Sequence, residues 1–384
     1  MHTRLLDRLC CSYCQGSLQL KPFVLEAPAA AVIPQPDDLS AAQVQPYPDT
    51  IVQTGVLLCQ TCQVWYPIYA YVPVMLLFKT SFHQRFAQEY QAQLQDLSEY
   101  HLPDRTPEPG ELAIQETFTD QWLTVQDSEL SFNYTQSDLE ALNREVWLNW
   151  LPAAETPVQM VLNVGCGLGR EAIALQTVTQ AEIFAVDLNF GVFQGAARFR
   201  SHGGIHFVIA SLFHLPFSGG AFDLVYSQGV IHHTLCTKAA LDAIAALVRT
   251  RGYLFIWVYG RDDAQIKDPT VKGYLTYKFE AVVRPVVSRL PAFLRDLVIN
   301  ALTLVFHPIL KSYGRNRQQW QLRNTNHALR DWLTPRYAHK HSYNEVLEWF
   351  EALEFQIINV QSPLAYRKLF ERPLWGVGVT GQKR

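Results

Sequence analysis

Between Val158 and Val258 the chain alternates apolar runs of strand length, at 160–164, 182–186, 205–209, 222–227 and 252–258, with segments whose apolar positions recur at helical spacing. That alternation predicts a parallel sheet with helices on both faces. Farther along, 355–360 and 375–380 predict an antiparallel hairpin that finishes the sheet at seven strands. The expected class is therefore α/β: a doubly wound, mostly parallel, Rossmann-like sheet. Upstream, Val64–Leu76 has strand character with a turn inside it, 80–100 predicts a surface helix, and 138–150 carries helical apolar spacing that leads into the sheet. The three prolines of 101–110 predict a linker and a domain boundary. After the fifth strand, 284–304 alternates basic and apolar positions in the manner of amphipathic helices.

Composition narrows the class of protein. With 384 residues, 48% hydrophobic and 17% charged, the chain can bury a core, and its length favours one large domain with satellites. The net charge of -3 argues against a chain devoted to nucleic acid, and no DNA partner is expected. The charge is uneven, however. Residues 261–340 hold 14 Lys and Arg against 6 Asp and Glu, an excess of +8, so the remainder carries -11. The basic block either faces an anionic partner or is a solvated face. No secretory signal is visible at the N-terminus, which sets a cytoplasmic expectation. The apolar run 297–306 is broken by polar residues and closed by His307-Pro308, short of the roughly 20 residues of a membrane span but suited to a membrane surface.

Four of the seven cysteines form two Cys-x-x-Cys turns, Cys11/Cys14 and Cys59/Cys62. Each turn presents two thiolates, so the pairs predict one tetrahedral zinc ion, structural because four protein ligands leave no open position. Cys10 beside Cys11 leaves the identity of one ligand open. The 44 residues between the pairs include Pro22, Pro28, Pro34, Pro36, Pro46 and Pro48 and predict an extended inserted loop. Gly55–Cys62, followed by Tyr66-Pro-Ile and Val72-Pro-Val-Met-Leu, resembles the small zinc-ribbon activator proteins that pair with tRNA and release-factor methyltransferases. The implied domains are 1–80, a zinc ribbon; 81–150, a helical linker and cap; and 151–384, with a helical lid insertion at 261–330.

Val161-Leu-Asn-Val-Gly-Cys-Gly-Leu-Gly169 ends the first apolar run in glycines at alternate positions, and Asp187 ends the second run 20 residues beyond Gly167. Glycines let a backbone approach a ligand closely, and a carboxylate at that point accepts from ribose hydroxyls, so the pair predicts a nucleoside pocket. Six stretches then occur in an order similar to that of class I S-adenosylmethionine-dependent methyltransferases: Met160–Glu171, Phe184–Asp187, Leu212–Phe217, Ala221–Tyr226, Gln228–Thr234 and Arg251–Trp257. The resemblance implies that Gly165, Cys166, Gly167 and Gly169 border the methionine part of S-adenosylmethionine. It also implies that Asp187 and Leu188 hold the ribose, that Ser211 and Leu212 flank adenine, and that Gln228 belongs to the cofactor set. Ser211 stands where that family commonly has Asp, so a modest cofactor affinity is expected. The thiols of Cys166 and Cys236 are isolated and read as packing groups.

Methyl transfer from a sulfonium needs alignment and, for a hydroxyl or carbon acid, removal of a proton. His232 and His233 lie past the fourth strand, on the edge where open parallel sheets bind ligands, and are the candidate bases, His233 first. Either can equally be a satisfied structural histidine. Phe118-Thr-Asp-Gln-Trp122 resembles an aromatic element that helps cover the cofactor in small-molecule methyltransferases. Arg336, Tyr337, His339 and His341 are candidates to line the acceptor pocket or to pack between elements. For the basic insertion a lid over a small-molecule acceptor is favoured over a membrane patch or an RNA face. The leading expectation is methyl transfer to oxygen or carbon of a small, apolar or anionic molecule. The alternatives are modification of tRNA or another macromolecule, and a cofactor-binding assembly protein without turnover.

Overall fold

The computed structural model of the chain describes residues 1–26, 51–125, 128–200, 202–261, 282–313, 316–371 and 376–384. At the N-terminus β1 (Gln19–Glu26), β2 (Ile51–Cys59), β3 (Val64–Tyr69) and β4 (Val72–Pro73) pair in that order as an antiparallel sheet. The strand with a turn expected at Val64–Leu76 is the β3–β4 pair, reversed at Ala70 and Tyr71, both at positive φ. Pro22 was expected in the inserted loop and lies in β1 instead. As the edge of the small sheet, β1 tolerates a missing N–H, and its register shifts between Pro22 and Val24. Gly55 faces that proline because a Cβ there would come within 2.7 Å of the Lys21 carbonyl oxygen. The other prolines of the expected loop lie outside the described residues.

The segment expected as a surface helix contains α1 (Ser81–Glu89), which buries Phe82 and Phe86. The Phe82 ring meets Phe190 and Phe193 of the large domain at 5.2 and 5.4 Å between centroids. The proline-containing stretch that follows is strapped to the small sheet. Trp65 N–H donates to the His101 carbonyl at 3.0 Å, and Arg105 N–H to the Leu77 carbonyl at 2.8 Å. Next come α2 (Glu111–Leu123) and α3 (Gln136–Leu142), the latter opened by a reciprocal Thr135–Asp138 capping box and continued by a wide turn through Trp147.

The large sheet has seven strands, β5 (Met160–Val164), β6 (Glu182–Asp187), β7 (Ile205–Ile209), β8 (Phe222–Gln228), β9 (Val248–Tyr259), β10 (Phe355–Val360) and β11 (Gly376–Lys383). They lie in the order β10-β11-β9-β8-β5-β6-β7, with β11 alone antiparallel to its neighbours. The strand runs read from sequence fall on β5 to β9 because both faces of a parallel sheet are covered, so its strands are apolar throughout. Val161, Leu162, Ile183, Val225 and Leu254 are fully enclosed. Helices α4 (Arg170–Thr179), α5 (Val192–Arg198) and α6 (Thr237–Ala245) make the crossovers.

The small sheet does not hang from a linker. Val74 bridges Ile209 in parallel, Met75 N–H donates to the Ile209 carbonyl at 2.7 Å, and Cys10 N–H donates to the Pro216 carbonyl at 2.9 Å. The ribbon thereby covers the β7 edge. One hydrophobic cluster runs through both parts, from Leu57, Cys59 and Tyr66 to Phe184, Val208 and Phe217.

Within the insertion, α7 (Ala292–Tyr313) lies outside and α8 (Leu322–Leu333) inside, sharing a small core of Val287, Ile299, Leu329 and Leu333. His307-Pro308 does not close the apolar segment as expected, since the helix runs through Pro308, at an exposed position, to Tyr313. Residues 262–281 of the expected lid lie outside the described residues. The chain returns through α9 (Tyr343–Ala352) and α10 (Pro363–Phe370) to the last strands.

Candidate functional site

The glycine run is the turn from β5 into α4. Gly165, Gly167 and Gly169 take φ values of 82°, 54° and 83°, the left-handed region in which a side chain is strained. Gly167 is also crowded: a Cβ there would lie 2.5 Å from Cζ2 of Trp122, whose indole crosses the loop from α2. Asp187, at the carboxyl end of β6, accepts from Gly167 N–H at 2.8 Å and from Asn189 N–H at 3.0 Å. Those two bonds leave lone pairs of the carboxylate for further donors. Desolvation raises its pKa, while the N–H donors of Asn189 and Gly167 oppose the rise. Leu188 is partly exposed beside it. Gln228 lies beside Glu171 and Tyr226, and with its amide nitrogen facing Glu171 it donates to Oε2 at 2.9 Å. Glu171 also accepts from the Tyr226 hydroxyl at 2.7 Å, and loss of solvent pushes its carboxyl up to about 7.

Ser211 and Leu212 open the short turn after β7. The Ser211 hydroxyl accepts from Phe213 N–H at 3.2 Å and is buried. Close to it stands Glu111, the first residue of α2, which is 5% exposed. Burial raises the Glu111 carboxyl, and the neighbouring Ser211 hydroxyl and the bond from Glu108 N–H offset part of the rise. A carboxylate thus stands at the end of β7 after all. It comes from a helix 100 residues upstream, a placement that no local pattern signals.

His232 and His233 follow β8 in a single tight turn and face the end of β9. His233 is 3% exposed, and its Nδ1 lies 2.8 Å from the Tyr337 carbonyl oxygen. A carbonyl only accepts, so Nδ1 carries the proton and Nε2 holds a lone pair. That Nε2 is buried without a partner among the described residues. Burial lowers the His233 pKa, with the Asp331 charge and the Tyr337 carbonyl pulling the other way. The ring is therefore neutral near pH 7. His232 is fully enclosed, its ring 3.9 Å from that of Tyr259, and burial holds it well below the ordinary histidine range.

Around these rings lies a polar set that sequence reasoning missed. Asp331 on α8 accepts from the Tyr259 hydroxyl at 2.7 Å and from Gln121 Nε2 at 3.2 Å. One turn earlier, His327 donates from Nδ1 to the Gln121 carbonyl at 3.2 Å, and its buried Nε2 also lacks a partner among the described residues. Its ring packs 5.0 Å from Trp122 and 4.5 Å from Phe132, and burial lowers its pKa to about 4. Phe118 meets His233 at 5.3 Å. Both aromatics of the Phe118–Trp122 element therefore face the site from one side of α2. These groups sit far apart in sequence, and only the insertion's return across α2 assembles them.

The return segment packs rather than opens. His339 N–H donates to the His232 carbonyl at 2.9 Å, and His339 Nε2 donates to the Thr234 carbonyl at 3.0 Å. His341 bonds Thr237 Oγ1 at 2.9 Å and Glu345 at 3.0 Å. Arg336 is exposed, and Tyr337 contributes its carbonyl to His233. Together these residues clamp the His232–His233 turn.

At the other end of the chain the Sγ atoms of Cys11, Cys14, Cys59 and Cys62 lie within 4.8 Å of one another, and those of Cys14 and Cys59 are 3.6 Å apart. Four sulfurs about 2.3 Å from one ion span such distances, so the donor set fits tetrahedral zinc. Tyr13 N–H and Tyr66 Oη lie 3.4 and 3.2 Å from Cys11 Sγ. Cys10 is not in the cluster: its thiol donates to Gln15 Oε1 at 2.9 Å, and burial pushes it up to about 11.

Comparison with known proteins matches two parts of the chain. Residues 162–256 match the methyltransferase domain family, and residues 2–69 match the Trm112p-like protein family. An O-methyltransferase of Penicillium expansum is 29% identical over 121 residues, 30% of this chain and 43% of that one. The chain thus spans less than half the length of this curated relative. Among solved structures, a Burkholderia thailandensis 1,6-didemethyltoxoflavin-N1-methyltransferase is 17% identical with a TM-score of 0.42, covering 73% of this chain and 92% of that one. A complex containing the Haloferax volcanii Trm112 methyltransferase activator is 14% identical with a TM-score of 0.36, covering 64% and 93%.

Proposed function

We propose that this chain, a Trm112p-like zinc-ribbon domain joined to a class I methyltransferase domain, transfers the methyl group of S-adenosylmethionine to an oxygen of a small-molecule acceptor. The observation that carries the reading is His233: a buried, neutral imidazole whose tautomer is set by the Tyr337 carbonyl, and whose Nε2, at the carboxyl edge of the sheet, has no partner among the described residues. Methylation of a hydroxyl or a carbon acid calls for such a base, whereas an amine acceptor already carries its lone pair, and the similarity to an O-methyltransferase favours oxygen.

The site's donor set fits the cofactor. Asp187 keeps lone pairs for ribose hydroxyls, Gly165 and Gly167 supply backbone without a Cβ, and Glu111 with Ser211 offers acceptors to an exocyclic amine. When bound, S-adenosylmethionine supplies an electrophilic methyl on sulfur and a neutral leaving group. The chain does the rest. His233 Nε2 takes the acceptor proton, and the resulting imidazolium is stabilised by the Tyr337 carbonyl and the Asp331 charge. Trp122 and Phe118 shield the site from water. Asp331, held by Tyr259 and Gln121, keeps α8 over it.

The test is label transfer. Protein incubated with S-adenosylmethionine labelled in its methyl group and a panel of phenols, enols and carboxylic acids should give an O-methylated, labelled product. His233→Asn should lower turnover about 10²- to 10⁴-fold. Label appearing on nitrogen, or on RNA and not on the panel, would sink the reading.

A further inference from the structure

The outer helix of the insertion is unlike the rest of the surface. Val282, Val286, Phe293, Leu297, Leu304 and Val305 are 71, 62, 76, 60, 69 and 63% exposed. On α7 they continue through Pro308 to Ile309 as one stripe about 24 Å long at a rise of 1.5 Å per residue. Among the described residues this is the one helix long and apolar enough to cross a membrane, yet only 11% of its apolar window is buried. Single exposed apolar side chains are ordinary, but a contiguous stripe marks a surface that something covers.

Charge identifies the cover. Arg289 is exposed just before the stripe, and Lys311 and Arg317 are exposed beyond it. From 282 to 317 the one carboxylate is Asp296, half-exposed and held in an ion pair with Arg330 at 2.9 Å. Apolar residues along the centre of a helix with cations at both ends are what the boundary between lipid headgroups and acyl chains accepts.

The opposite face decides between lying on a membrane and spanning it. Asn326 on α8 donates to Asn300 Oδ1 at 2.9 Å and Thr303 Oγ1 at 3.0 Å, and His307 bonds Thr325 at 2.9 Å. Ile299 packs on Leu329 and Leu333. Those bonds tie α7 to its domain along its length, so it cannot leave to cross a bilayer without breaking them. We infer that α7 seats the protein flat on a bilayer containing anionic lipid, its apolar stripe immersed and Arg289, Lys311 and Arg317 at the headgroups.

Full-length, zinc-loaded protein mixed with phosphatidylglycerol-containing vesicles should float with them, remain free with pure phosphatidylcholine, and be released by high salt or alkaline carbonate. Leu297→Glu with Leu304→Glu should weaken binding at least tenfold, and Arg289→Glu with Lys311→Glu should remove the preference for anionic vesicles. All four side chains are on the surface, and an unchanged melting temperature confirms that each variant is folded. Protein that never floats, or that floats equally well in both folded double variants, overturns the proposal. So does resistance to carbonate, which would mean a span. A dimer that the Leu297→Glu, Leu304→Glu pair turns into monomer, with no vesicle binding, would assign the stripe to a second copy instead.

Discussion

At the scale of single residues, the site works through where protons and charges are kept. Burial lowers the His233 pKa, so the base form is present throughout the range above the ordinary value of about 6.5. Initial rates should therefore stay level from pH 8 down to 6.5 and fall only below it; a decline already complete at pH 7 would contradict the neutral, buried ring. The same shift has a sign for stability. Well above pH 6.5 neither state is protonated and the fold is unaffected, whereas at lower pH the unfolded histidine gains a proton that the buried one refuses, so stability falls as the pH is lowered. Glu111 makes a separate expectation. If it restores the carboxylate that Ser211 lacks, Glu111→Gln should weaken S-adenosylmethionine binding by roughly 1–3 kcal/mol, about five- to 150-fold in the dissociation constant by calorimetry. Binding of methylthioadenosine should weaken in parallel, because the adenine end is shared, and an unchanged constant would place Glu111 outside the cofactor contacts.

At the scale of elements, the loop between β5 and α4 and the helix α2 behave as one object, since Trp122 lies on Gly167. Gly167→Ala should leave the far-ultraviolet dichroism intact and raise the cofactor dissociation constant at least tenfold. The added methyl both strains a φ of 54° and meets the indole. Retained affinity would mean that the loop carries no cofactor. The core strands were legible in the chain because a parallel strand buried on both faces must be apolar at every position. The glycines and Asp187 were legible because their chemistry is local to one strand-helix-strand unit. β1 was not, since it is an edge strand with a half-exposed alternation and a proline, and nothing in its own residues distinguishes it from a loop. Glu111, His327 and Asp331 were invisible for a different reason: each acts through a partner on another element, and such pairings are set by how helices cross.

At the scale of the whole molecule, the zinc ribbon and the large sheet are one cooperative body. The cluster that holds Cys11 and Cys59 also holds Phe184 and Val208, and the backbone joins them through Val74 and Met75. Removing zinc should therefore destabilise both parts together. Chelation, or Cys59→Ser, should lower a single calorimetric transition and reduce S-adenosylmethionine binding, although the four cysteines belong to the ribbon and not to that site; two independent transitions would show that the domains fold apart.

The bridge between Val74 and Ile209 also imposes an order on synthesis. The ribbon leaves the ribosome roughly 130 residues before the strand it pairs with, which at 5–20 residues per second is a wait of about 7 to 26 s. During that interval Val74, Leu76, Phe82 and Phe86 have no large domain to pack against. A nascent chain paused near residue 150 should therefore be a client for chaperones, and release from them should coincide with the emergence of β7.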